Sequence, residues 1–120
     1  MTPDAYFAKC PSRPIMTRLA KKWTMLALIA MQTGPRRFGE LRRLLEGVSQ
    51  KTLTNVLRGL EEDGLVRRVD FNETPSRVEY NLTPLGEDLA PLMKHIKTWA
   101  EENMDAIEAA QTASKQPSAF

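Results

Sequence analysis

The chain of 120 residues has one cysteine and one histidine. One cysteine excludes an internal disulfide framework. With no basic-then-apolar start at the N-terminus, it points to a cytoplasmic protein. His95 has no second histidine, cysteine or carboxylate at ligand spacing, so no metal site is expected and no Ser–His–Asp or Cys–His arrangement can be assembled. There is no glycine loop that could cradle a phosphate. No enzymatic activity and no cofactor are therefore expected. Apolar runs stay far below the roughly 18 residues of a membrane span. No internal repeat is present.

What is there is an ordinary soluble composition, 42% hydrophobic and 27% charged, long enough for one domain with a real core. The net charge of +2 is unevenly spread. Residues 1–69 hold 13 Lys/Arg against 6 Asp/Glu, while residues 70–120 hold 4 against 9. A basic first part favours a polyanionic partner, against the plainer reading of a solvated basic face.

Residues 1–14 hold Pro3, Pro11 and Pro14 without a period and read as an extended arm. Ile15, Leu19, Trp23, Leu26 and Ile29 recur at helical spacing and predict one helix from 15 to about 32, ended by Gly34-Pro35. A short helix from Phe38 to Leu45 follows, then a turn at Gly47. Ser49 is a good N-cap for a third helix with Leu53, Val56, Leu57 and Leu60 inside and Gly64 at its left-handed end. Residues 65–71 and 77–83 alternate as two strands joined by a five-residue loop, 72–76. Thr83-Pro84 starts the last helix, with Leu85, Leu89, Leu92, Ile96 and Trp99 in a stripe and Pro91 predicting a kink or break near 87–90. Wholly helical, residues 84–110 would be about 40 Å long. Nothing remains in the chain to cover that stripe, so a second copy is the expected partner, with packing back on residues 15–29 as the plainer reading. The tail, 111–120, reads as disordered.

The order helix, helix, capped helix, hairpin, helix is that of a winged helix-turn-helix. The fold class is mainly α with a small β-hairpin, with an N-terminal arm (1–14), the domain (15–110) and the tail. A major-groove reader needs donors on one helix face. Ser49, Gln50, Lys51, Thr52, Thr54, Asn55 and Arg58 meet that need. Arg36, Arg37, Arg42 and Arg43 surround the start of the second helix, where Arg37 is the candidate phosphate clamp. Arg77, beside the wing tip, is a candidate backbone or minor-groove contact, against a strand-face pair with Glu79 or Asp70. Cys10 sits in the arm beside Lys9 and Arg13, cations that favour the reactive thiolate, which makes it a candidate redox sensor. Its plainer reading is a small apolar residue packed on the first helix.

These residues resemble the HxlR (DUF24) family of bacterial winged-helix regulators. The likeness rests on Cys10-Pro11, Lys22-Trp23-Thr24, residues 37–41 (RFGEL), 49–53 (SQKTL), 60–68 (LEEDGLVRR) and 75–86 (PSRVEYNLTPLG). It spans residues 10–99. The resemblance implies a homodimer on a palindromic or pseudo-palindromic operator in double-stranded DNA, with the third helix reading bases and the hairpin as wing. It implies dimer contacts from the first and last helices, Trp99 matching the family's tryptophan, and in some members sensing of quinones, aldehydes or oxidants at the position of Cys10. Several such sensors pair that cysteine with a second, different one, which this chain lacks. That leaves alkylation, a mixed thiol adduct or a Cys10–Cys10 bond. Lys21 departs from the family pattern, which commonly has glycine or another small residue there.

The expected function is a dimeric DNA-binding transcriptional regulator, responsive to a small electrophile through Cys10. One alternative input is a small-molecule effector in a dimer cavity lined by Trp23, Met93, Ile96 and Trp99. An alternative role is a winged-helix module that binds protein.

Overall fold

The computed structural model describes residues 2–115. Six helices and one hairpin follow in the order α1 (Ser12–Leu19), α2 (Lys22–Ala30), α3 (Phe38–Leu44), α4 (Gln50–Glu62), β1 (Val66–Asp70), β2 (Val78–Leu82), α5 (Pro84–Glu102) and α6 (Met104–Lys115). This is the winged-helix order with a hairpin wing.

The sequence of α2, KWTMLALIA, is apolar on all sides, the mark of a helix surrounded by others. It lies at the centre and packs on α1, α3, α4 and α5. Leu28 of α2, Leu41 of α3 and Leu53, Leu57 and Leu60 of α4 are fully buried there. Each such leucine contributes about 1.5–3 kcal/mol by leaving water.

Both ends of α4 are fastened as its sequence predicts. The Ser49 hydroxyl accepts from the Thr52 amide at 3.0 Å. At the other end Gly64 takes φ +74°. Its amide donates to the Glu61 carbonyl, and the Leu65 amide donates to the Leu60 carbonyl. That is the paired hydrogen bonding of a glycine-terminated helix, with buried Leu65 packed near Leu60.

The strands pair antiparallel from Val66↔Leu82 to Asp70↔Val78. Each is one residue shorter at both ends than its alternation suggests. A single further rung forms at Arg36: Arg36 and Tyr80 exchange both backbone hydrogen bonds, at 2.9 and 2.8 Å. This third partner ties the wing to the start of α3.

Four expectations are corrected. The helix predicted from 15 to 32 is two, α1 and α2, because Lys21 is extended (φ −82°, ψ 135°) and caps a new helix. The first of them starts at Ser12, so the arm is shorter than 1–14, and Ile15 stays exposed. α1 buries no residue and is held partly through Arg18. That guanidinium donates to the Gly59 carbonyl at 2.7 Å and to Asp63 at 2.8 Å, at the C-terminal end of α4.

The last helix does not break near Pro91. α5 runs through it. Pro91 and Glu87 are both exposed, so the carbonyl that proline leaves without a donor can be met by water. The break comes at Asn103, whose backbone leaves the helical region (φ −109°, ψ 9°); its side-chain and backbone amides both donate to the Trp99 carbonyl, at 2.8 and 3.1 Å. The tail expected to be disordered is helical to Lys115; residues 116–120 lie outside the described residues.

α5 has two apolar faces. At 100° per residue, Gly86, Leu89, Ala90 and Met93 share one, and it faces the core. Gly86 is required there, since any Cβ would collide with the Leu65 carbonyl. Leu85, Leu92, Ile96 and Trp99 share the other, and all four are exposed.

Candidate DNA-binding face and cysteine site

The inner leucines of α4 fix which side faces out. Gln50, Lys51, Asn55 and Arg58 are exposed on that side and line a shallow surface depression with Thr54. Among the described residues, none of the four makes a side-chain hydrogen bond or ion pair, so their donors are free for a ligand.

The other three candidates on this helix serve the helix itself. Ser49 caps it and also donates its hydroxyl to Thr52 Oγ1 at 2.9 Å. Thr54 donates to the Gln50 carbonyl at 2.8 Å, and Thr52 and Thr54 are half-buried. Sequence reasoning grouped all seven because hydroxyls are donors; local geometry shows that those of Ser49 and Thr54 are spent, while that of Thr52 only accepts.

Around α3, Arg37 is the N-cap and exposed, and its amide donates to the Glu40 carboxylate at 3.0 Å. Its guanidinium has no carboxylate partner among the described residues, and neither do those of exposed Arg42 and Arg43. Arg36 is spent internally. It donates through Nε to the Ala30 carbonyl and through its terminal nitrogen to Thr33 Oγ1, both at 3.0 Å.

Arg77 lies in the wing but is folded inward. Its guanidinium stacks 3.7 Å from the centroid of Phe71 and its Nε stands 3.6 Å from Glu73. The partner is therefore Glu73 rather than Glu79 or Asp70. The wing's exposed cations are Arg67 and Arg68.

The four residues grouped as a cavity are spread over three surroundings in one chain. Met93 is buried in the core, and Ile96 and Trp99 stand on the outer face of α5. Trp23 is half-buried beside α4, against the turn at Gly47. Two residues missed by sequence reasoning are Arg18, the clamp on α4, and Lys21, which lines the same trough as Trp23. An arginine in an amphipathic helix carries no mark of its distant partner.

Cys10 is buried, at 8% exposure, at the edge of a pocket of about 380 Å³ lined by Pro3, Asp4, Phe7 and Pro11 among others. Its sulfur lies 3.0 Å from Ser12 Oγ. That hydroxyl and then the Ser12 amide hold the thiol below its ordinary pKa, with the Asp4 backbone adding to the effect and burial opposing it. The cause differs from the one expected. Arg13 is occupied by the Ala5 and Tyr6 carbonyls at 2.8 and 3.0 Å, and hydrogen bonds rather than neighbouring cations favour the thiolate.

The profile of the HxlR-like helix-turn-helix family matches residues 18–108. This chain belongs to that family. It is 38% identical over 106 residues to YtfH of Escherichia coli, an uncharacterized HTH-type transcriptional regulator, covering 88% of this chain and 84% of that one. The solved transcriptional regulator YtfH of Salmonella typhimurium superposes with a TM-score of 0.87 at 36% identity, over 92% of this chain and 99% of that one. The redox regulator HypR in its reduced form gives a TM-score of 0.74 at 36% identity, over 82% and 98%. The chain is thus a helix-turn-helix transcriptional regulator and not an enzyme.

The thiol environment has a direct readout. The rate of alkylation of Cys10 by iodoacetamide should rise with pH through a midpoint below that of a free cysteine. Ser12→Ala should move the midpoint upward, because it removes the bond that favours the thiolate. An unmoved midpoint would show that Ser12 does not set it.

Proposed function

We propose that this HxlR-family regulator binds a palindromic or pseudo-palindromic DNA operator as a homodimer and is released or re-set by modification of Cys10. The observation that carries the DNA reading is the free polar face of α4. Gln50, Lys51, Asn55 and Arg58 are exposed and uncommitted, while the opposite face of the same helix is locked into the core. Asn and Gln pair with adenine, and Arg and Lys with guanine or phosphate. Arg37, at the start of α3, and the wing cations Arg67 and Arg68 are placed to hold the backbone. Arg77 contributes through the wing's own packing on Phe71 before any phosphate. Two copies would present α4 helices to half-sites about 34 Å apart.

The exposed stripe Leu85, Leu92, Ile96 and Trp99 supports the homodimer. Four large apolar side chains on one face of a 19-residue helix form a patch of the kind that marks an interface. α1 and the arm add exposed Met16, Tyr6 and Phe7. For the input, the lowered pKa and the adjoining pocket support Cys10, as does the likeness to HypR, described as a redox regulator. The pocket would admit a small electrophile such as a quinone. The thiolate would add to the quinone ring and form a carbon–sulfur bond, with no second cysteine needed.

In an anisotropy titration of the reduced protein at fixed salt, DNA from upstream of its own gene should bind at least about 10³-fold tighter than scrambled DNA. Arg58→Ala should weaken operator binding by roughly ten- to a hundredfold and scrambled DNA much less. Equal loss on both would make Arg58 a phosphate contact, and no binding by the wild type would end the DNA reading. In the same assay a quinone should release the wild type but not Cys10→Ser; release of both would move the input to another site. Sedimentation should show a dimer for the wild type and a monomer for Ile96→Glu, with a charge set into the stripe. A dimer persisting in Ile96→Glu would place the interface elsewhere.

A further inference from the structure

Beside α4 runs a trough of about 510 Å³ that Lys21 lines together with Thr52, Asn55 and Arg58. Asn55 and Arg58 also line the depression on the outward face of the helix. The trough therefore opens onto the face that the reading above sets into the major groove. At 100° per residue, Thr52 and Gly59, which line the trough, stand about a quarter-turn from the outward direction of Lys51, Asn55 and Arg58. An α-helix with its side chains is about 10–12 Å wide and the major groove about 12 Å. A helix seated in that groove turns its outward face to the bases and its flanks to the phosphate walls. Lys21 stands on such a flank.

Among the described residues, the trough's charges leave two of its cations, Lys21 and Arg58, without a carboxylate. Glu62, the acid that lines it, lies 3.9 Å from Arg18, and Arg18 is also held by Asp63 at 2.8 Å. One guanidinium faces two carboxylates, so that group keeps one negative charge, outweighed in the trough by Lys21 and Arg58. Lys21 and Arg58 have no carboxylate within ion-pair distance among the described residues, and Lys21 is exposed. Its backbone is pinned as the N-cap of α2, so its ammonium works from a fixed base beside α4.

We propose that Lys21 grips a backbone phosphate of the duplex in which α4 is seated. It is a positioning contact that α2 adds to those of α3, α4 and the wing. The inference rests on the α4 reading above. A phosphate contact carries no sequence information, so it strengthens binding to every duplex alike and anchors the registration of α4 through α2.

The test is the salt dependence of binding by the full chain, measured by anisotropy on operator and scrambled duplexes between 50 and 200 mM salt. Lys21→Ser and Lys21→Gly remove the charge at a position where serine and glycine are both accepted N-caps. Both variants should keep the wild-type circular dichroism, with an unfolding midpoint no lower than that of the wild type. The slope of log affinity against log salt should become shallower by about 0.9, one phosphate contact, with the same fold-loss on both duplexes. Lys94→Ser, the same charge change on α5, should leave the slope unaltered. An unchanged slope in the Lys21 variants overturns the contact. So does an equal change in Lys94→Ser, which would report net charge alone, or a loss confined to the operator, which would report base reading. Absence of any DNA binding by the wild type would instead overturn the α4 reading and this inference with it.

Discussion

The packing of α4 against α2 is the constraint on which the rest depends. Leu53, Leu57 and Leu60 are fully buried, and losing any one to alanine would cost about 2–5 kcal/mol. That inner face fixes the rotation of α4 about its own axis. A rotation of a single residue position would turn Asn55 and Arg58 by 100° and spoil the outward face. The capped ends work to the same purpose. Ser49 and Gly64 hold the helix in register with the chain on either side, so the polar face is presented by a rigid element.

Other contacts aim the neighbours at the same surface. The Arg36–Tyr80 bridge joins the wing to the residue just before α3. The Arg18 clamp joins α1 to the last turn of α4. Cys10 lies in the turn that starts α1, so its surroundings and the far end of α4 are connected through one eight-residue helix. α5 divides its labour by angle. Gly86, Ala90 and Met93 close the core, and a separate stripe a little under a third of a turn away stays open.

Much of this was legible in the sequence, for identifiable reasons. The stripe of α4, the serine cap, the glycine end and the alternation of the second strand are local patterns with one physical solution each. They appear where expected. The missed features involve competing partners or solvent exposure that periodicity does not settle. Nothing local reveals that Lys21 would turn extended and divide the first helix, since lysine is a good helix former. Pro91 signals a break that exposure to water makes unnecessary, and the break comes instead at Asn103, where the backbone leaves the helical region. Among the site residues, Arg77 looks like a free cation until the fold brings Phe71 and Glu73 beside it.

The sequence by itself determined the capped helix followed by the hairpin, the family and the face of α4 that carries the donors, because these follow from periodicity, caps and short motifs. Tertiary structure alone decided which of those donors remain free, which arginines are spent, and why the Cys10 thiol is acidified. Those outcomes depend on partners far along the chain, or on exact angles between near ones. A hydrogen bond such as that of Arg18 to Gly59, 41 residues away, has no local signature. It exists only when helices packed by their leucines bring the two groups within reach.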